Sequence, residues 1–291
     1  MKQNKLSYKI GQFLMFGGPA TILFFAVVIL PFFYGLYLTL TSWDGVSTTK
    51  PFVGLENYKA ALADTAYWQS LGRTFIYSVI AVILTNIVAF LLAYLVTSGI
   101  KGQNFRAGFF IPNLIGGIVL GYVWKFVFNR AFVAVAEVAT QTDHASLLST
   151  PNGAMFCLIL VSVWQYAGYM MLIYVAGFMS VDQSLKEAAM IDGCNKGKAM
   201  WHVVIPLMRS SFVQCIFLST TRCFMVYDLN LSLTKGEPFN QSVLAAMHVY
   251  NQAFVYKNYG TGQAEALVLF IVCAVIGMLQ VYFGKKGEVA A

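Results

Sequence analysis

From Phe13 to Leu40 the chain runs for 28 residues without one charged side chain. A membrane-spanning helix needs about 20 predominantly apolar residues, so this run is long enough to cross a bilayer. Five further apolar segments follow, at about Phe75 to Val96, Phe109 to Phe128, Ala154 to Met179, Ser211 to Leu233 and Ala264 to Phe283. In lipid a lone spanning segment must satisfy its own backbone, so each is read as a helix. The expected fold is an all-α membrane protein with six transmembrane helices. Composition agrees: 58% of residues are hydrophobic and 11% are charged, more apolar surface than a soluble domain can hide. The opening MKQNKLSYK resembles the n-region of a signal peptide. The apolar run behind it is too long and lacks a small-residue cleavage site, so it is expected to remain as the first span.

The net charge of +7 raises nucleic acid as a partner, but the basic residues flank the apolar runs. They are read as orientation signals beside membrane lipid, with no nucleic acid. With six spans, one side holds Lys2, Lys5, Lys9, Lys101, Arg106, Lys186, Lys196, Lys198, Arg209, Lys285 and Lys286. The other holds Lys50, Lys59, Arg73, Lys125, Arg130, Lys235 and Lys257. The richer side is expected to be cytoplasmic, which places both termini inside. The expected division is a cytoplasmic tail over 1–12, a permease domain over 13–284 and a second tail over 285–291. Cys157, Cys194, Cys215, Cys223 and Cys273 form no CxxC pair, which argues against a disulfide framework or a zinc site.

The segment LKEAAMIDGCNKGKAMWHVVIPLMRSS, Leu185 to Ser211, is an anomaly. Lys186, Glu187, Asp192, Lys196, Lys198 and Arg209 crowd into a chain otherwise built for lipid. Ser184 and Glu187 match the S-x-x-E capping box, which starts a helix at about Leu185. Gly193 is expected to end it in the left-handed conformation. A second short helix from about Lys196 leads to Pro206. The result is a charged helical knuckle over about 180–210, on the cytoplasmic face between the fourth and fifth helices. Gly193-Cys-Asn-Lys-Gly197-Lys198-Ala199 hints at a P-loop. It is one residue short, lacks the hydroxyl residue and follows no strand, so any ATPase site belongs to another chain.

Glu187-Ala188-Ala189, three residues, Gly193, nine residues and then Val203-x-Ile205-Pro206 resembles the EAA loop of ABC importer permeases. Glu187 to Gly193 is similar to the EAAxIDG form of carbohydrate importers. Phe52-Val-Gly-Leu-Glu-Asn-Tyr58 resembles their FxGLxNY stretch, and Asp228 with Leu233-Thr-Lys-Gly-Glu-Pro238 resembles their FDxxxxLTxGGP segment. Tyr227 and Glu237 depart from that last pattern. The likeness runs from about Phe13 to Phe283. It implies a permease subunit of a binding-protein-dependent importer for sugars of the maltose, glycerol-phosphate and oligosaccharide type, in the bacterial cytoplasmic membrane. The implied partners are a second related permease, two cytoplasmic ATPase subunits and an extracellular sugar-binding protein. ATP and magnesium are implied on the ATPase subunits, with no cofactor or metal in this chain. Glu187, Ala188, Ala189, Met190, Asp192, Gly193 and Pro206 are the implied ATPase-coupling residues, with Met190 and Ile191 as apolar anchors.

Charged groups within a bilayer are costly, so Arg222 and Asp228 in the fifth segment are expected to face the bundle interior or water. They are six apart, which puts them on different faces of one helix. Trp164, Gln165, Tyr166 and Tyr169 in the fourth segment, with Arg222, Tyr227, Asp228 and Asn230 in the fifth, are the substrate-path candidates. Aromatic faces and hydrogen-bonding groups suit the C–H faces and hydroxyls of a sugar. The alternative role is packing, the usual one for aromatics at helical spacing. An intramembrane enzyme would need a catalytic cluster, yet His144, His202 and His248 are scattered. An ion-coupled secondary transporter remains the other alternative, and it leaves the knuckle without a purpose.

Overall fold

The computed structural model describes residues 11–98, 103–140, 142 and 145–286, and among them the fold is helical without a strand. Most of both expected tails, with Lys2, Lys5, Lys9, Lys101 and His144, lies outside the described residues. The helices are α1 (Phe13–Leu38), α2 (Glu56–Ala63), α3 (Thr65–Thr97), α4 (Gln103–Leu114), α5 (Gly117–Thr140) and α6 (Pro151–Ser180). They continue as α7 (Gln183–Ile191), α8 (Lys196–Leu207), α9 (Arg209–Phe224), α10 (Asp228–Leu233), α11 (Ala245–Tyr250) and α12 (Tyr259–Lys285). Five helices are long and apolar enough to cross a membrane: α1, α3, α5, α6 and α12. The pair α8 and α9 is a sixth candidate if its 68° bend counts as one broken span.

Two of the expected segments are divided. The run from Phe109 to Phe128 splits between α4 and α5. Pro112 lies inside α4, and Gly116 caps α5 in an extended conformation (ψ 141°). The span is therefore α5, which extends to Thr140, well past the Phe128 end of the expected segment. The fifth segment breaks at Met225–Tyr227 and restarts as α10. No glycine or proline marks that break, so only tertiary packing accounts for it.

The chain divides into two compact units, one formed by 1–65 and 249–268 and the other by 66–248 and 269–291. In the first unit the FxGLxNY stretch works as a clamp. The Asn57 amide donates to the carbonyls of Thr39 and Thr41, each at 2.8 Å, and the Thr261 hydroxyl donates back to Asn57 Oδ1 at 3.2 Å. The Tyr58 hydroxyl shares a hydrogen bond of 2.8 Å with Thr39. These bonds satisfy carbonyls in the turn that follows α1, where the helix ladder no longer supplies partners. Asn57→Ala leaves two of those carbonyls unpaired in a buried place. It is expected to cost about 1–3 kcal/mol, seen as a lowered unfolding temperature in detergent.

In the second unit α6 is the enclosed helix, whereas much of α3 and α5 is exposed and apolar, as lipid requires. One face of α3 carries Tyr77, Ala81, Thr85, Ala89 and Ala93 at intervals of four, all fully buried. Small side chains at that spacing let helices approach closely, the usual means of packing where lipid removes the hydrophobic drive. Polar pairs add to it. Tyr77 hydrogen-bonds Ser162 of α6 at 2.5 Å, Tyr174 donates to Asn86 Oδ1 at 2.8 Å, and Asn86 donates to Ser219 of α9 at 3.0 Å. Gly117 and Gly121 of α5 face α10. A Cβ at Gly121 would lie 1.9 Å from Ser232 Oγ, and one at Gly117 would lie 2.9 Å from Asp228 Cβ. This small-xxx-small pair holds α10 in place after the break.

Candidate functional site

The knuckle begins at Asp182, not at Ser184. The Asp182 carboxylate accepts the Ser184 N–H at 2.9 Å, and that backbone bond holds its pKa below the ordinary carboxylate value. The reading of Ser184 and Glu187 as a capping box gives way to this cap, because Asp182 leaves the extended Val181 with its side chain already over the first turn. Glu187 instead accepts from the Gln183 amide at 3.2 Å, one turn earlier. At the other end Gly193 has φ +85°. Its N–H donates to Met190 O at 3.1 Å, and the Cys194 N–H donates to Ala189 O at 3.0 Å. Those two bonds make a Schellman cap, which requires a left-handed residue at that position. Asn195 then caps α8 by accepting the Lys198 N–H at 2.8 Å.

The knuckle is thus locked at both ends of α7 and at the start of α8. Ala189 is buried beneath it, whereas Ala188, Glu187 and Asp192 are exposed. Ile191 is 86% exposed and Met190 is 43% exposed, so an apolar pair is offered outward from a rigid element. Pro206 is exposed in the last turn of α8, just before the bend at Met208 that turns the chain into α9.

The second cluster lies where α9 ends. A recess of about 400 Å³ is lined by Gln165 and Tyr166 of α6, Arg222 of α9, Tyr227, and Asp228 of α10. The Arg222 guanidinium donates to Asn113 Oδ1 at 2.6 Å and lies 5.3 Å from the ring centre of Tyr166 and 4.7 Å from that of Tyr169. A cation stacked on two aromatic faces is stabilised by their quadrupoles, which offsets part of its desolvation. Gln165 donates to the Ile115 carbonyl at 3.1 Å, holding the α4–α5 break against α6. The break at Met225–Tyr227 is what brings Arg222 and Asp228 to the same recess. The chain swivels between them, so the face separation expected for one continuous helix does not apply.

Two sequence candidates sit elsewhere. Trp164 packs edge-to-face against Trp124, ring centres 5.4 Å apart, and lines an apolar groove with Phe109 and Pro112. Asn230 is fully buried, donating to Ser242 O and Thr234 Oγ1 and accepting the Leu244 N–H. Those bonds fix the loop after α10, so Asn230 shapes the site without lining it. Sequence reasoning passed over Asn113, the Arg222 partner. Its only signal was a polar side chain beside Pro112 in an apolar run.

Residues 103–287 match the family described as binding-protein-dependent transport system inner membrane component. The probable starch degradation products permease AmyD of Thermoanaerobacterium thermosulfurigenes is 36% identical over 276 residues, 94% of each chain. The multiple sugar-binding transport permease MsmF of Streptococcus mutans is 30% identical over 261 residues, 89% of this chain and 90% of the relative. The fold matches that of a chain in a bacterial ABC transporter involved in import of alginate, with a TM-score of 0.82 and 14% identity over 97% of this chain and 99% of that one. The chain belongs to the family of inner membrane components of binding-protein-dependent transport systems. It is a multi-pass permease subunit of an ABC importer, a transporter component and not an enzyme.

Proposed function

We propose that this permease imports a sugar of the oligosaccharide class, delivered by an extracellular binding protein, across the bacterial cytoplasmic membrane. The observation that carries the mechanism is the double-capped knuckle with Met190 and Ile191 turned outward. An element that receives work from a partner must be stiff and must present an anchor, and this one does both. In this reading α8 and α9 together form one broken span, giving six, with both termini and the knuckle inside the cell. The permease domain then occupies 13–284.

Two ATPase subunits bind ATP and magnesium and grip the knuckle. Glu187, Ala188, Ala189, Met190, Asp192, Gly193 and Pro206 form or support the gripped surface. A second, related permease completes the path. The names of the relatives, which speak of starch products and multiple sugars, support a saccharide cargo, as does the chemistry of the recess. Tyr166 offers an aromatic face there, Gln165, Arg222 and Asp228 offer hydrogen-bonding groups, and Tyr169 stands behind Arg222 outside the lining.

The test is reconstitution of the chain with its co-encoded ATPase and partner permease. ATP hydrolysis is expected to rise several-fold only when binding protein and sugar are both present. Uptake driven by an ion gradient without ATP would overturn the reading in favour of a secondary transporter.

A further inference from the structure

A second cavity, of about 860 Å³, opens beside the knuckle, away from the Arg222 recess. Its polar rim is formed by Arg106 of α4, Lys186 of α7, Lys196 of α8 and the carboxylate of Asp182. Its inner wall is apolar, with Val96, Phe178, Val181 and Val204 all buried. Three cations therefore face one carboxylate, and that carboxylate is already engaged as the α7 cap. The Arg106 Nε is buried and has no hydrogen-bond partner among the described residues. Arg106 lines the cavity as a residue, and buried polar atoms nearly always have partners, so its orphaned Nε marks the guanidinium as incompletely satisfied.

We propose that this cavity binds the phosphate of an anionic phospholipid, whose acyl chain lies along the apolar wall. A phosphate oxygen can accept from the Arg106 guanidinium at the cavity rim, and a guanidinium suits phosphate geometry. Lys186 and Lys196 hold the charge from the other side. A zwitterionic headgroup would bring an ammonium into a rim that is already cationic, so the net charge of the site selects against it. Basic pockets between helix ends on the cytoplasmic side are suited to anionic headgroups on general electrostatic grounds. Because the rim joins the start of α4 to both limbs of the knuckle, an occupied site braces the knuckle against the bundle. The anionic lipid is then a partner in coupling.

The inference rests on the cytoplasmic placement of the knuckle. The experiment reads lipid directly, so its outcome is separate from that of the transport test. The purified importer complex is exchanged into vesicles of phosphatidylglycerol or phosphatidylcholine, re-extracted, and the retained lipid per complex is measured by mass spectrometry. Phosphatidylglycerol retention is expected to exceed phosphatidylcholine by about thirtyfold, from about 1 kcal/mol for each of the two net positive charges that three cations and one carboxylate leave. Arg106→Gln and Lys196→Gln are each expected to lower it about fivefold on the same basis. Lys196 sits on the exposed rim, so its variant tests the site without endangering the fold. Lys198→Gln, outside the cavity, should change nothing. Equal retention of the two lipids, or full retention in the Lys196→Gln complex, would overturn the proposal. Displacement by millimolar inorganic phosphate would also overturn it, since the site would then be one for a small free anion.

Discussion

Gly193→Val is expected to abolish the link between ATP hydrolysis and uptake while leaving membrane insertion intact. The position is open: no atom lies within 4 Å of where a Cβ would stand. The penalty is therefore wholly in the backbone. At φ +85° a β-branched residue is strained by roughly 1–2 kcal/mol relative to glycine. A change of that size lowers the population of the correct knuckle by a factor of about 5–30. Relaxing the strain means losing the bonds from the Gly193 and Cys194 N–H groups, so α7 frays and Met190 and Ile191 are no longer held at a fixed angle. Gly193→Asn is the control, because asparagine tolerates the left-handed region and should keep most of the coupling. Sugar-stimulated ATP hydrolysis and uptake are measured side by side in proteoliposomes. If Gly193→Val takes up sugar as the unaltered chain does, the knuckle is not the coupling element.

The sequence made the knuckle legible because its signals are local. A glycine at a helix end, an asparagine before a short helix and a cluster of charge act within one or two turns. The start was misplaced by two residues because Asp182 and Ser184 are both good caps, and only the extended Val181 decides between them. The spans were legible as apolar mass, but not where they break. Pro112 and Gly116 do mark the α4–α5 break, and a reading by hydropathy alone runs through them. Nothing local marks the break at Met225–Tyr227. It exists because Gly117 and Gly121 let α10 sit against α5, a contact between residues more than a hundred positions apart. The members of the Arg222 recess were named from their chemistry, yet their convergence depends on that same break. Their separation along an ideal helix pointed the other way.

The two clusters are joined by one element. α9 is 16 residues long, about 24 Å at helical rise, and runs from the bend at Met208 to Arg222 in its last turn. On the proposed coupling role, a displacement of the knuckle that changes the 68° bend would be carried along α9 as by a lever. Arg222 and the swivel at Met225–Tyr227 then move relative to Tyr166 and Tyr169 on the enclosed α6. That arrangement gives the stacked guanidinium two roles. On the proposed reading, the intact stack holds its donors on Asn113 and the two rings, and an opened stack would free them for a cargo. A physical pathway of this kind earns the name only if both ends bias it.

Arg222→Gln is therefore expected to lower uptake by about thirty- to a hundredfold while assembly with the partner subunits persists. Two losses contribute. The cation–aromatic stack is worth about 0.5–2 kcal/mol, and a charged hydrogen bond such as that to Asn113 is worth about 1.5–3 kcal/mol. Glutamine keeps a donor and part of the length, so the full sum is not forfeited, and about 2–3 kcal/mol corresponds to the stated range. Asp228→Asn, on the other side of the same recess, should also reduce uptake. Its effect should fall mainly on the apparent KM, because Asp228 makes no bond to Arg222 whose loss would alter the resting state. The decisive comparison is between uptake and thermal stability. A substrate-path arginine changes uptake at fixed unfolding temperature, since the variant also removes a costly charge from the membrane interior. If Arg222→Gln melts several degrees lower and the surviving complexes transport at the unaltered rate, the arginine is a structural brace between α6 and α9. The cargo then passes along a different face of the bundle.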